Sequence, residues 1–177
     1  ACVALFIFLF NRRSPDRTIT SVAVSVFGIV YVAWFFSYLI KLRLLPNGAE
    51  WVFYTILIVK AGDAGAYFVG RKFGKNKLLP LVSPNKSVEG AIGQMVTTLL
   101  LSVGAIFFIE VAWYHFVLLG IGVGGLALFG DLAESLIKRD AGVKDSGQMP
   151  GLGGMLDVVD SVLFTVPFVY FYLTFVL

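Results

Sequence analysis

Charge is scarce in this sequence. Aspartate, glutamate, lysine and arginine make up 14% of the 177 residues and apolar types 58%, and the mean hydropathy is +0.88. A water-soluble domain carries roughly a quarter charged residues, so the deficit excludes one and points to an integral membrane protein. Cysteine and histidine are nearly missing, at one each. The lone Cys2 excludes an intrachain disulfide. No polar block is long enough to build a soluble domain, so residues 1–177 are expected to form one membrane-embedded unit. The net charge of +3 comes without a basic stripe, which gives no sign of nucleic-acid binding. Low-complexity tracts and repeats are absent. The opening ACVALFIFLF lacks an initiator Met and a basic n-region, so it does not read as a signal peptide. It reads as the tail end of a spanning helix, with chain expected upstream.

What is abundant is membrane-length apolar sequence. A spanning helix needs roughly 20 mainly apolar residues. Residues 1–10 supply half of one. Full spans are predicted over Ile19 to Ile40, Trp51 to about Val69, Ala91 to Ile109, Trp113 to Phe129 and Leu156 to Leu177. The fold class is therefore all-α, a polytopic helical bundle of five full transmembrane helices plus an N-terminal partial one. The successive loops carry three, two, five, zero and three basic residues. Arg12, Arg13 and Arg17, then Arg71, Lys72, Lys75, Lys77 and Lys86, then Lys138, Arg139 and Lys144 share one side. Positive loops face the cytoplasm, so the charged motifs are expected there, with the C-terminus outside.

Four polar stretches interrupt the oil. In VKAGDAGAYFVGRKFGK, Asp63 sits inside an apolar run, where a carboxylate usually faces a bundle interior or wet cavity. An intrahelical pair with Lys60 is the plainer account, and Gly62 and Gly65 leave room for a ligand or a neighbouring helix. The glycines do not make a Walker loop, because no Gly-Lys-Ser/Thr follows. In SPNKSVEG (83–90), Ser83-Pro84 reads as a turn and Ser87 as the N-cap of the next span; Lys86 and the helix start suit a phosphate, or form an ordinary basic loop. In GDLAESLIKRD (130–140), Asp131, Glu134 and Lys138 share one helical face, with Ser135 close to it and Arg139 flanking; a Glu134–Lys138 pair alone also accounts for it. Then KRDAGVKDSGQMPGLGG (138–154) leads into LDVVDS, where Asp157 and Asp160 stand on the first turn of the last span. Converging aspartates repel unless a cation lies between them, and oxygen ligands without clustered His or Cys favour Mg²⁺. Asp131, Asp145, Asp157 and Asp160 are thus candidate metal ligands. Lys86, Lys138, Arg139 and Lys144 are candidates for phosphate oxygens. GIGVGG (120–125) reads as small-residue helix packing, His115 and Glu110 as residues of the outer interface, and Trp34, Trp51 and Trp113 as packing or aromatic-belt residues.

SLIKRDAGVKDSG…PGLGGMLDVVDS resembles the signature of the phosphatidate cytidylyltransferase, or CDP-diacylglycerol synthase, family. GDAGAYFVGRKFGK, SPNKSVEG and GDLAESLIKR resemble that family's other cytoplasmic motifs, in the same order, from about residue 60 onward. Three departures stand out. Leu152-Gly153-Gly154 replaces a usual His-Gly-Gly, Asp157-Val158 replaces Asp-Arg, and the run from Asp145 to Pro150 is one residue shorter. Because the acidic and basic positions remain, the chain reads as a variant and not an inactive relative.

The resemblance implies a single cytidylyltransferase domain lacking N-terminal helices of longer members, in the inner (cytoplasmic) membrane with its active site facing the cytoplasm. It implies transfer of a cytidylyl group from CTP to phosphatidate in the bilayer, with Mg²⁺ as cofactor, a second cation left open, and a homodimer as partner state. Carried over, Asp131 and Asp157 are first metal ligands with Asp145 and Asp160 assisting. Lys138, Arg139, Lys144 and Lys86 meet the phosphates, with the first three and Asp145 placed at the chemistry. Asp63, Ser83, Asn85 and Ser135 line the substrate pocket. The alternatives are transfer to another lipid phosphate, such as an archaeal ether lipid, a paralogue that only binds lipid or CTP, and an ion-coupled transporter.

Overall fold

In a computed structural model, residues 18–144, 146, 147 and 154–177 are described. Helix α1 spans Thr18–Arg43, with one π-helical turn at Val30–Trp34. Helix α2 is Gly48–Phe73. Next in the chain is a hairpin of β1 (Lys77–Leu79) and β2 (Ser83–Ser87). Then come α3 (Val88–Gly104), a 3₁₀ turn at Ala105–Phe107, α4 (Trp113–Asp140) and α5 (Met155–Phe175). All five helices are long and apolar enough to cross a membrane.

Two helices outrun their predicted spans. Helix α2 continues to Phe73, with Arg71 and Lys72 in its last turn, where cations complement the helix dipole. Helix α4 continues to Asp140, so Asp131, Glu134 and Lys138 extend the membrane helix itself. The turn expected at Ser83-Pro84 is corrected: Pro80–Val82 make the turn and Ser83 and Pro84 open β2, antiparallel to β1. Proline is tolerated there because a two-stranded sheet consists of edges. Ser87 does cap α3, its hydroxyl accepting from Gly90 N–H at 3.1 Å.

The core lies between α2, α4 and α5, around Tyr54, Ile58, Phe116, Leu119, Val123 and Val166. Without a hydrophobic force between helices in lipid, close packing and interhelical hydrogen bonds hold the bundle. Tyr54 of α2 meets Ser102 of α3 at 2.5 Å, and Ser102 donates to the Phe116 carbonyl of α4 at 2.5 Å. Small residues set the α2–α3 approach: a Cβ on Gly62 would lie 2.5 Å from Thr98, and one on Gly93 2.6 Å from Val69. Gly62 and Gly65 thus make room for a neighbouring helix. Gly120 and Gly124 pack on α3 and Gly122 on Phe168, so the glycine string is a packing surface. His115 is buried and shares a 2.8 Å hydrogen bond with Tyr172.

Candidate active site

At the end of the bundle where α2 and α4 finish and α3 and α5 begin, three carboxylates converge. Each of Asp131, Glu134 and Asp160 offers an oxygen within 4.8 Å of the others. The first two lie one turn apart on α4. Asp160 reaches them because Gly130 lacks a side chain: a Cβ there would stand 2.6 Å from the Asp160 carbonyl. Glu134 is 1% exposed and Asp160 4%. Lys86 of β2 approaches Asp131 at 2.6 Å and Lys138 approaches Glu134 at 2.7 Å. Beyond that Lys138 pair, Glu134 has no hydrogen bond among the described residues, and Asp160 has no ion-pair partner among them. Three carboxylates thus face two ammonium groups, one of which is shared elsewhere. Buried uncompensated charge costs several kcal/mol, so the donor set fits a hard cation bound through oxygen.

Asp157 is placed differently. One of its oxygens pairs with Lys138. The other accepts from Gly154 N–H at 2.7 Å, Ser146 N–H at 2.8 Å and the Ser146 hydroxyl at 2.6 Å. Its carboxylate clamps the start of α5 to the preceding loop and does not join the three-carboxylate cluster. Lys138, expected at a phosphate, bridges Glu134 and Asp157. Arg139 likewise holds backbone, donating to the Val82 carbonyl at 3.1 Å and the Val143 carbonyl at 3.4 Å, and so ties the hairpin to the end of α4. Ser135 is buried and Lys144 exposed. Asp145 and Leu152 lie outside the described residues.

Beside the cluster opens a cavity of about 460 Å³. Asp63, Ser83, Asn85, Lys86 and Asp131 all line it, so separated stretches of sequence meet at one opening. Asp63 does pair with Lys60, at 2.9 Å, yet it is also held by Gln94 at 3.3 Å and Ser161 at 3.0 Å. Both accounts of Asp63 therefore apply at once. Gln94, Tyr67 and Arg71 also border the cavity, and the sequence motifs do not single them out. For Gln94 a signal is present, a lone amide inside the apolar run AIGQMVTTLLLS. Glu134 stands out in the sequence only as sharing a face with Asp131. Glu89 pins the hairpin by accepting from Lys75 N–H at 3.1 Å and the Asn76 side-chain amide at 2.8 Å.

Residues 1–176 match the model of the cytidylyltransferase family. The chain is 39% identical over 160 residues to a phosphatidate cytidylyltransferase of Bacillus subtilis, covering 88% of this chain and 60% of that protein. It is 44% identical over 138 residues to that of Haemophilus influenzae, covering 74% and 48%. With that of Synechocystis it shares 35% over 204 residues, covering 98% and 69%. The chain thus spans about half to two thirds of the length of these relatives. An ordered set of polar motifs, folded into one acidic and basic cavity at a bundle end and matched over nearly its whole length, places this chain in the cytidylyltransferase family.

Proposed function

We propose that this chain transfers a cytidylyl group from CTP to phosphatidate, giving CDP-diacylglycerol and pyrophosphate, at the cytoplasmic surface of a bacterial inner membrane. The observation that carries this is the convergence of Asp131, Glu134 and Asp160 beside a cavity that also holds Lys86 and Asp63. The relatives' shared name supplies the substrate pair.

A phosphatidate oxygen attacks the α-phosphorus of CTP, the new P–O bond forms, and the bond from that phosphorus to the bridging oxygen of pyrophosphate breaks. The attacking group is already anionic, so no strong base is required of the protein. Its task is to bring two polyanions together and balance the charge on the departing pyrophosphate. A divalent cation, Mg²⁺ by its ligand chemistry, would supply charge neutralisation and orientation of the triphosphate. Asp131, Glu134 and Asp160 would hold it. Lys86, reaching from the hairpin into the cavity wall, presents a cation to phosphate oxygens. Lys138 and Asp157 keep Glu134 and the start of α5 in place. Ser83 and Asn85 on β2 and Gln94 on α3 offer polar groups to the nucleotide, and the lipid headgroup arrives sideways from the bilayer.

The test is the purified protein in detergent with labelled CTP and phosphatidate, with and without Mg²⁺. Mg²⁺-dependent formation of labelled CDP-diacylglycerol with stoichiometric pyrophosphate is expected. Product only with an ether-linked lipid phosphate would change the substrate, and no product with any lipid phosphate would overturn the reading.

A further inference from the structure

Tyr31 is the single buried residue in the stretch 18–34 of α1, at 5% exposure. It lies in the π-helical turn Val30–Trp34. Such a turn adds about one residue, which rotates the facing of the downstream residues by about 100°, and π turns concentrate at functional sites. The ring packs on Phe27 at 5.6 Å, Phe35 at 6.1 Å and Phe164 at 5.9 Å. Every one of these neighbours is phenylalanine, so packing alone calls for no hydroxyl. The Tyr31 oxygen is nevertheless buried, with no hydrogen-bond partner among the described residues. A buried orphan of this kind costs on the order of 1–3 kcal/mol. Its neighbour Phe164 stands one helical turn from Asp160, and both press on Gly130 of α4, so Tyr31 packs on the flank of the carboxylate cluster.

We infer that the Tyr31 hydroxyl is a positioning group for the cation site, supplied by α1 to a cluster otherwise built from α4 and α5. With a hydrated cation held by Asp131, Glu134 and Asp160, the phenol acquires the partner it lacks, a ligand carboxylate or a water of the ion. Outer partners of this type orient ligands and raise affinity. The inference rests on the cation reading given under Proposed function.

The test is Mn²⁺ binding, followed by electron paramagnetic resonance on the purified protein in detergent, wild type against Tyr31→Phe. That variant keeps the ring and its three aromatic contacts. Its Mn²⁺ affinity is expected to fall roughly tenfold, while its melting temperature without metal stays at the wild-type value or rises. Equal Mn²⁺ affinity in the two proteins overturns the inference and leaves the acidic cluster standing, whatever the melting temperatures do. A wild-type protein with no saturable Mn²⁺ site overturns the cation reading, and this inference with it.

Discussion

Glu134 and Asp157 both pair with the Lys138 ammonium, yet their surroundings assign them different work. Glu134 is enclosed, and beyond the Lys138 pair its oxygens find no hydrogen bond among the described residues. Asp157 accepts from two backbone amides and a hydroxyl and pairs with the lysine. A carboxylate with a single partner beside two others gains when a cation arrives, whereas a saturated one gains little. Glu134→Gln is therefore expected to remove stabilisation by Mg²⁺ while leaving the metal-free melting temperature close to wild type or higher. Asp157→Asn is expected to cost about 2 kcal/mol with or without Mg²⁺, the scale of hydrogen bonds to a charged group. Thermal melts of both variants across a Mg²⁺ titration separate the roles; a Mg²⁺ response lost in Asp157→Asn and kept in Glu134→Gln would reverse them. In the sequence these two acids are alike, both at helical spacing from another carboxylate. The saturation of Asp157 comes from Gly154 at the cap of α5 and from Ser146, which the fold brings to it.

At the scale of elements, the helix ends place the chemistry. Helix α4 runs unbroken past its apolar stretch and delivers Asp131 and Glu134 to the bundle end, and α5 starts level with them. Their separation is set by Gly130 against the Asp160 carbonyl and the Phe164 ring, where a Cβ would stand at 2.6 and 3.0 Å. Gly130→Val is expected to push α5 outward and abolish both turnover and Mn²⁺ binding, with an overpacking cost of about 1–3 kcal/mol. Gly125→Ala, where a Cβ meets nothing within 4 Å, is expected to keep both close to wild type. Activity and Mn²⁺ titration on the pair decide it, and a fully active Gly130→Val would remove that contact from the site. The hairpin is the second device. Arg139 and Glu89 pin it from opposite sides, which keeps Lys86 directed at Asp131. Its strands are three and five residues long, too short for alternation to announce them, so a loop is the natural expectation from sequence.

At the scale of the molecule, basic residues are more numerous at the cavity end of the bundle. The hairpin segment 74–87 carries Lys75, Lys77 and Lys86 and borders the cavity, whereas at the far end 108–112 holds no basic residue and Lys41 and Arg43 close α1. This asymmetry is what the proposed cytoplasmic orientation rests on. In a Cys2→Ser background, Lys77→Cys is expected to react with a membrane-impermeant maleimide only after cells are permeabilised, and Asn47→Cys to react in intact cells. The reverse pattern would turn the site outward. Apolar length alone determined the five spans, because a bilayer demands about 20 unbroken apolar residues and internal backbone hydrogen bonding. Helical periodicity determined that Asp131 and Glu134 share a face. Which acids meet across helices was decided only by tertiary packing. Asp160 joins the cluster through a missing side chain on α4, and Asp157 is diverted into a clamp. The first depends on a distance between helices far apart in the chain and the second on a loop that folds back on its helix, and helical periodicity encodes neither.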